Sequence, residues 1–157
     1  MADVLIAGGG IAGSALAIML GRAGVTVTLF EGGSSPREKG CGEGIMPPGV
    51  GVLRRLDLAG AVGGAPFIGV RYYAADIAAK GRFPLFGGRP ALGRVQRRHH
   101  LDQVLFKTAA ATPGVTAYTN ARVDAPILAR GRVLGLRAMG EDHYAPLTVA
   151  VSSTSTV

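Results

Sequence analysis

From Val4 to Gly21 the chain carries no charged side chain, and three consecutive glycines, Gly8, Gly9 and Gly10, break this run near its front. Few structures accept such a segment. A membrane span needs an unbroken apolar stretch, and a signal peptide also needs a basic start and a small-residue cleavage site. The chain opens instead with Met1, Ala2 and Asp3, and the glycines cut the stretch in two. No integral membrane segment is therefore expected. A buried strand followed by a buried helix accounts for the same residues. Val4 to Ala7 is a short apolar run stopped by a tight turn, the profile of a central parallel strand. Ile11 to Arg22 is dominated by Ala, Leu, Ile and Met, and Gly24 supplies a stop. Val25 to Phe30 is rich in β-branched residues and ends at Glu31. Residues 3–31 thus read as a strand, a helix and a second strand, a βαβ unit.

The glycines of this unit have the spacing Gly8-x-Gly10-x-x-Gly13. Alone, that spacing means little in a chain with 25 glycines. Placed after a strand, at the start of a helix and ahead of an acidic residue closing the next strand, it is the fingerprint of a dinucleotide site. Gly8 permits the tight turn, Gly10 lacks the Cβ that would hold a pyrophosphate away, and Gly13 lets the helix pack closely on the strands. Ile11, Ala12 and Gly13, at the helix start, offer backbone N–H groups and the positive end of the helix dipole to phosphate. Glu31, placed to accept both hydroxyls of the adenosine ribose, disfavours a 2′-phosphate and hence NADP at this position.

The remaining composition narrows the partners. At 157 residues a single domain is expected, and the lone cysteine, Cys41, rules out an internal disulfide and fits a reducing, cytoplasmic setting. The net charge of +7 points to an anionic partner. The arginines are spread from Arg22 to Arg137, with Arg94, Arg97 and Arg98 the nearest approach to a patch, and no aromatic series is interleaved with them. A nucleic-acid partner is therefore not expected. Gly32 to Gly51 reads as loop, followed by a helix from about Val50 to Leu58. Phe67 to Tyr73 and Gly81 to Phe86 read as strands, and His99 to Ala111 as a helix ended by Thr112-Pro113-Gly114. Val115 to Tyr118, Ala121 to Leu128, Val133 to Met139 and Leu147 to Val151 read as a meander of strands.

Beyond the βαβ unit, Glu31 through Arg37, Gly42-Glu43-Gly44-Ile45, Pro47-Pro48 and Leu53-Arg54-Arg55-Leu56-Asp57-Leu58 resemble the FAD-dependent aromatic hydroxylases of the p-hydroxybenzoate hydroxylase type. The related geranylgeranyl reductases and flavin halogenases share the pattern. Asp57 stands where that pattern has glycine. Arg98-x-x-Leu101-x-x-x-Leu105 is similar to a helix of the same superfamily whose arginine contacts the flavin cofactor. The resemblance implies an α/β, Rossmann-type FAD/NAD(P)-binding fold with a parallel sheet and flanking antiparallel strands, with partial substrate-side strands at about 66–90. It implies FAD as cofactor, with Arg37 and Arg98 supplying charge against its pyrophosphate. The reaction it implies is monooxygenation using NAD(P)H, oxygen and a small organic substrate. A prenyl reductase, favoured by the Cys41-Gly42-Glu43-Gly44 loop, and a non-catalytic nucleotide-binding fragment are the alternatives.

The superfamily's later Ala-Asp-Gly and Gly-Asp motifs are not found in these residues, where Ala150-Val151 runs into Ser152-Ser153-Thr154-Ser155-Thr156-Val157. Residues 1–157 are accordingly expected to be the N-terminal part of an FAD-binding domain, incomplete, holding FAD weakly or not at all and showing no turnover alone. Other tempting residues have plainer readings. His99 and His100 diverge by about a hundred degrees on a helix and do not share a metal. Cys41 has no neighbouring base, Glu43 reads as an exposed loop carboxylate, and Asp102 and Asp142 have no evident acid–base partner. No catalytic residue is assigned.

Overall fold

The computed structural model describes residues 1–34 and 43–150. In chain order the elements are β1 (Val4–Ala7), α1 (Ile11–Arg22), β2 (Val27–Phe30), β3 (Gly44–Ile45), α2 (Pro47–Arg55), α3 (Ala59–Val62), β4 (Ala65–Phe67), β5 (Gly69–Ala74), β6 (Ile77–Arg82), β7 (Leu85–Phe86), β8 (Arg89–Pro90), β9 (Gly93–Val95), α4 (Arg98–Ala111), β10 (Val115–Tyr118), β11 (Val123–Ala129), β12 (Arg132–Ala138), β13 (Glu141–Tyr144) and β14 (Leu147–Ala150). They divide into two compact units, the first Met1–Glu38 with Leu101–Val157, the second Lys39–His100. No described helix is long and apolar enough to cross a membrane.

The first unit is built on a parallel sheet of order β10-β2-β1-β14. In a parallel sheet paired residues share a face, so the registers Val4↔Val27 and Ile6↔Leu29 put these four side chains on one side. Ile6 lies beneath α1, its Cγ2 3.3 Å from where a Cβ on Gly13 would stand. On the other side Leu5 and Phe30 join Ala121, Leu136, Ala138 and Ala145 in a buried cluster. Phe30 stacks on Tyr118 at 5.8 Å and tilts against His143 at 4.9 Å. The antiparallel sheet β11-β12-β13 thus covers the face opposite α1.

Helix α1 occupies the expected span, but β2 starts at Val27 rather than Val25. The N–H of Val25 donates to Leu20 O, and Gly24, at φ +81°, turns the chain out of the helix, so Val25 belongs to the helix's closure. Of the four strands of the expected meander, only β11 and β12 pair as neighbours, and an unexpected strand, β13, extends them to three. Val115–Tyr118 and Leu147–Ala150 instead flank β2 and β1 in the parallel sheet. The strand Glu141–Tyr144, too polar to be read from sequence, is held by pairing with β12 and by an Arg137–Asp142 ion pair at 2.7 Å. Exposed on both partners, that pair raises the Arg137 pKa and lowers that of Asp142 through their mutual hydrogen bond, and its stabilisation is small.

In the second unit, α2 begins at Pro47, three residues before the expected start. Pro47 and Pro48 occupy first-turn positions whose N–H groups have no intrahelical partner, so proline is compatible with helix there. Val50, Leu53, Leu56, Leu58 and Val62 are buried. Asp57 ends α2 at φ +59°, with Leu58 N–H donating to Leu53 O. The left-handed backbone explains why glycine is the usual residue there and why aspartate, among the more tolerant residues in that conformation, substitutes for it. The expected strand from Phe67 is split at Ile68 into β4, which pairs with β9, and β5, which pairs with β6. The expected Gly81 to Phe86 strand is split ahead of β7, which pairs with β8.

Two outcomes follow from the first unit. Phe30→Ala should lower the unfolding free energy by about 3–5 kcal/mol, read by denaturant titration, because the ring is fully buried between two sheets. Asp3 accepts hydrogen bonds from the Thr26 hydroxyl and from Thr26 N–H (2.9 Å), and these bonds lower its pKa, with the side-chain bond the larger cause. The stabilisation from a depressed carboxylate is present above the unfolded value and lost as pH falls through the folded one. Thr26→Val should therefore melt below the parent at pH 6, with the gap closing as pH drops below about 4.

Candidate functional site

The glycine turn connects the C-terminal end of β1 to α1, and Glu31 follows the C-terminal end of β2. The chain leaves β1 toward β2 on one side, while β14 lies on the other. The carboxyl ends of strands at such a switch in strand order are where open α/β sheets hold ligands.

The glycines of the turn are not equally constrained. Gly8 sits at φ +108°, a backbone conformation that side chains resist. A Cβ on Gly13 would stand 1.9 Å from Gly8 O, so α1 meets the end of β1 only without one. Gly10, the N-cap of α1, has an ordinary φ of −74°, so its own backbone conformation does not require glycine. Gly9, given no role in the sequence reading, is also buried. A Cβ on Gly9 would meet the Phe106 ring at 2.8 Å and the Glu31 Cβ at 2.9 Å.

Glu31 is brought to this turn by backbone hydrogen bonds. Gly9 N–H donates to its Oε2 at 2.9 Å and Gly33 N–H to its Oε1 at 3.0 Å. Its own N–H donates to Tyr118 O and its carbonyl accepts from Ala121 N–H. The carboxylate is thereby oriented by a backbone donor at each oxygen. Ser14, fully buried, donates from Oγ to Gly9 O at 2.8 Å and ties the glycine turn to α1. The first intrahelical bond is Ser14 N–H to Gly10 O. Ile11, Ala12 and Gly13 precede it, with no side chain capping the helix and no acidic residue in its first turn. Such an end is suited to an anion.

The structure therefore brings Gly8, Gly10, Ile11, Ala12, Gly13 and Glu31 together within one unit. Arg98, the first residue of α4, is buried and belongs to the second unit. Arg37 and Cys41 lie outside the described residues. Glu43 is exposed, and its carbonyl accepts from Gln96 N–H. His100 Nε2 lies 3.0 Å from Ala61 O. Gly9, Ser14 and Phe106 were missed by the sequence reading. A serine opening the second helical turn and a phenylalanine on a distant helix carry no local mark of their contact with the turn.

Residues 1–127 match the model of the FAD binding domain family. Over 148 residues the chain is 33% identical to a menaquinone reductase of Mycolicibacterium smegmatis, covering 85% of this chain and 35% of that protein. It is 29% identical over 148 residues to a squalene epoxidase of Aspergillus fumigatus, covering 90% and 31%. The structure of a myxobacterial FAD-dependent halogenase superposes with a TM-score of 0.83 at 23% identity, covering 99% of this chain and 38% of that one. The chain spans about a third of the length of these curated relatives.

Gly13 and Gly10 should separate folding from binding. Gly13→Ala forces backbone apart at the β1–α1 junction and should lower the thermal midpoint markedly. Gly10→Val should leave the midpoint within a few degrees of the parent, since losing a glycine cap costs on the order of 1 kcal/mol or less, while abolishing any dinucleotide binding seen by calorimetry.

Proposed function

This chain belongs to the FAD binding domain family, and on that premise we propose that it holds the adenosine and pyrophosphate end of FAD for a flavin-dependent oxidoreductase. The cofactor class follows from the family; the assignment of residues to it is our reading. The observation that carries it is the Glu31 carboxylate fixed by Gly9 and Gly33 beside an uncapped helix start. In this reading Ile11, Ala12 and Gly13 donate backbone N–H groups to the pyrophosphate. Glu31 accepts from the ribose hydroxyls and, as an anion, repels a 2′-phosphate. Gly10 leaves the phosphates room to approach, and Arg37 and Arg98 supply compensating positive charge. When bound, the flavin supplies the electron and oxygen chemistry, and the protein binds, orients and shields it.

For the whole enzyme we favour monooxygenation of an apolar organic substrate with NAD(P)H as reductant, in keeping with the likeness to the squalene epoxidase. Reduction without oxygen transfer is the second reading, favoured by the higher identity to the menaquinone reductase. The two are separated in a fusion of this chain to the remaining segment of a full-length relative. Oxygen transfer consumes O₂ in step with substrate and places labelled oxygen in the product, whereas reduction proceeds equally well without air.

For this chain alone, ADP and FAD should compete for one site, and NADP should bind at least tenfold more weakly than NAD. Glu31→Ala should weaken FAD by the loss of one or two charge-assisted hydrogen bonds, roughly 1.5–3 kcal/mol each. Isothermal titration measures each value, and an unchanged affinity in Glu31→Ala would overturn the ribose role.

A further inference from the structure

We propose that Phe106 is a positioning residue for nucleotide recognition: its ring clamps Gly9, and through the Gly9 N–H it fixes the Glu31 carboxylate in the pose that meets a ribose. The ribose role rests on the cofactor reading above, while the clamp itself stands without it. All three residues belong to the first unit.

Glycine has more backbone freedom than any other residue, and Gly9 stands between two further glycines. Such a turn moves readily unless something encloses it. Gly9 is held from three sides. Its N–H donates to Glu31 Oε2 at 2.9 Å, and its carbonyl accepts from the buried Ser14 hydroxyl at 2.8 Å. On the side where a side chain would stand, one edge of the Phe106 ring closes the space, with Cε2 and Cδ2 at 2.8 and 2.9 Å from the Cβ position. The two hydrogen bonds set the direction of the peptide groups before and after the Cα. The ring blocks the direction that remains, so the turn has no room to swing away from the carboxylate.

Glu31 needs such an anchor, because its carboxylate is carried on rotatable bonds whose freedom must be removed before a ribose is recognised. Its Cβ stands 2.9 Å from the same Cβ position on Gly9, so the ring, the glycine and the stem of the glutamate meet at one point. Phe106 is itself well placed to hold them. It is buried on α4, where Leu101, Leu105 and Ala109 are buried as well, and a site held by packed helical residues is more precise than one held by a loop. The ring has no polar atom to offer a ribose or a phosphate, so its effect on the sugar passes through Gly9 and Glu31.

Amide hydrogen exchange and calorimetry on the 157-residue chain test the proposal. In the nucleotide-free protein, Phe106→Ala should speed exchange of the Gly9 amide at least about tenfold, with the milder Phe106→Leu falling between it and the parent. Ile18→Ala, which removes a fully buried side chain further along α1, is the control: it should lower the thermal midpoint without speeding the Gly9 amide. ADP should bind Phe106→Ala about three- to tenfold more weakly than the parent, the worth of roughly one hydrogen bond. In a Glu31→Ala background the same substitution should weaken ADP no further, because the carboxylate it positions is gone. A Gly9 amide no faster in Phe106→Ala than in Ile18→Ala would overturn the proposal. So would an equal loss of ADP affinity in both backgrounds, the result expected of a ring stacked directly on adenine. ADP binding that is absent from the parent, or indifferent to Glu31→Ala, would instead overturn the cofactor reading and the ribose role with it, whatever the exchange result.

Discussion

The contact on which the first unit depends is the one at Gly13, where α1 starts so close to the Gly8 carbonyl that no side chain fits between them. That approach fixes where the helix begins relative to the end of β1. Once it is fixed, Ser14 reaches Gly9 O, Gly9 N–H reaches Glu31, and the carboxylate stands beside the helix start. The other members of the arrangement are backbone groups and the short, buried Ser14, and the one long side chain, Glu31, is held by a backbone N–H at each carboxylate oxygen.

The first thirty residues were legible from sequence because their signals are local. Glycines at fixed offsets, an apolar run of helical length and β-branched residues each act within a few residues of themselves. The partnership between Gly9 and Glu31 was only half legible: the motif marks the acidic residue, but the N–H that orients it belongs to a position the motif leaves open. The meander failed for a different reason. Val115–Tyr118 and Leu147–Ala150 have the composition of any strand, and their place in the parallel sheet is decided by β2 and β1, far away in sequence. Asp57 shows a resemblance and a conformation converging, since the residue that departs from the glycine pattern still adopts the left-handed backbone that the pattern exists to supply.

Two kinds of positive charge serve different purposes here. At the start of α1 the positive charge is partial and sits on backbone N–H groups, which carry no counterion and lose no side-chain entropy. In the second unit most of the charge is full and sits on long side chains, where it is screened by salt and weak pair by pair. The first arrangement suits a ligand held in one pose. The second suits a broad surface met in many.

The pairing of β14 with β1 also sets the order in which the sheet can form. β1 and β2 are joined by a single helix and can come together as soon as both are made, but Val4 finds Leu147 only after the whole second unit between them has been made. Closing so long a loop costs more entropy than closing the βαβ unit, and contacts of large sequence separation slow folding. During synthesis, one edge of β1 therefore stays open while the second unit, which lies between the two strands in sequence, is produced. An apolar parallel strand waiting with an unpaired edge is prone to pair with the wrong partner. The immersion of Val4, Leu5 and Ile6 in the finished core thus has a kinetic counterpart: a nascent chain dependent on prompt completion, or on a chaperone, to keep its first strand from aggregating.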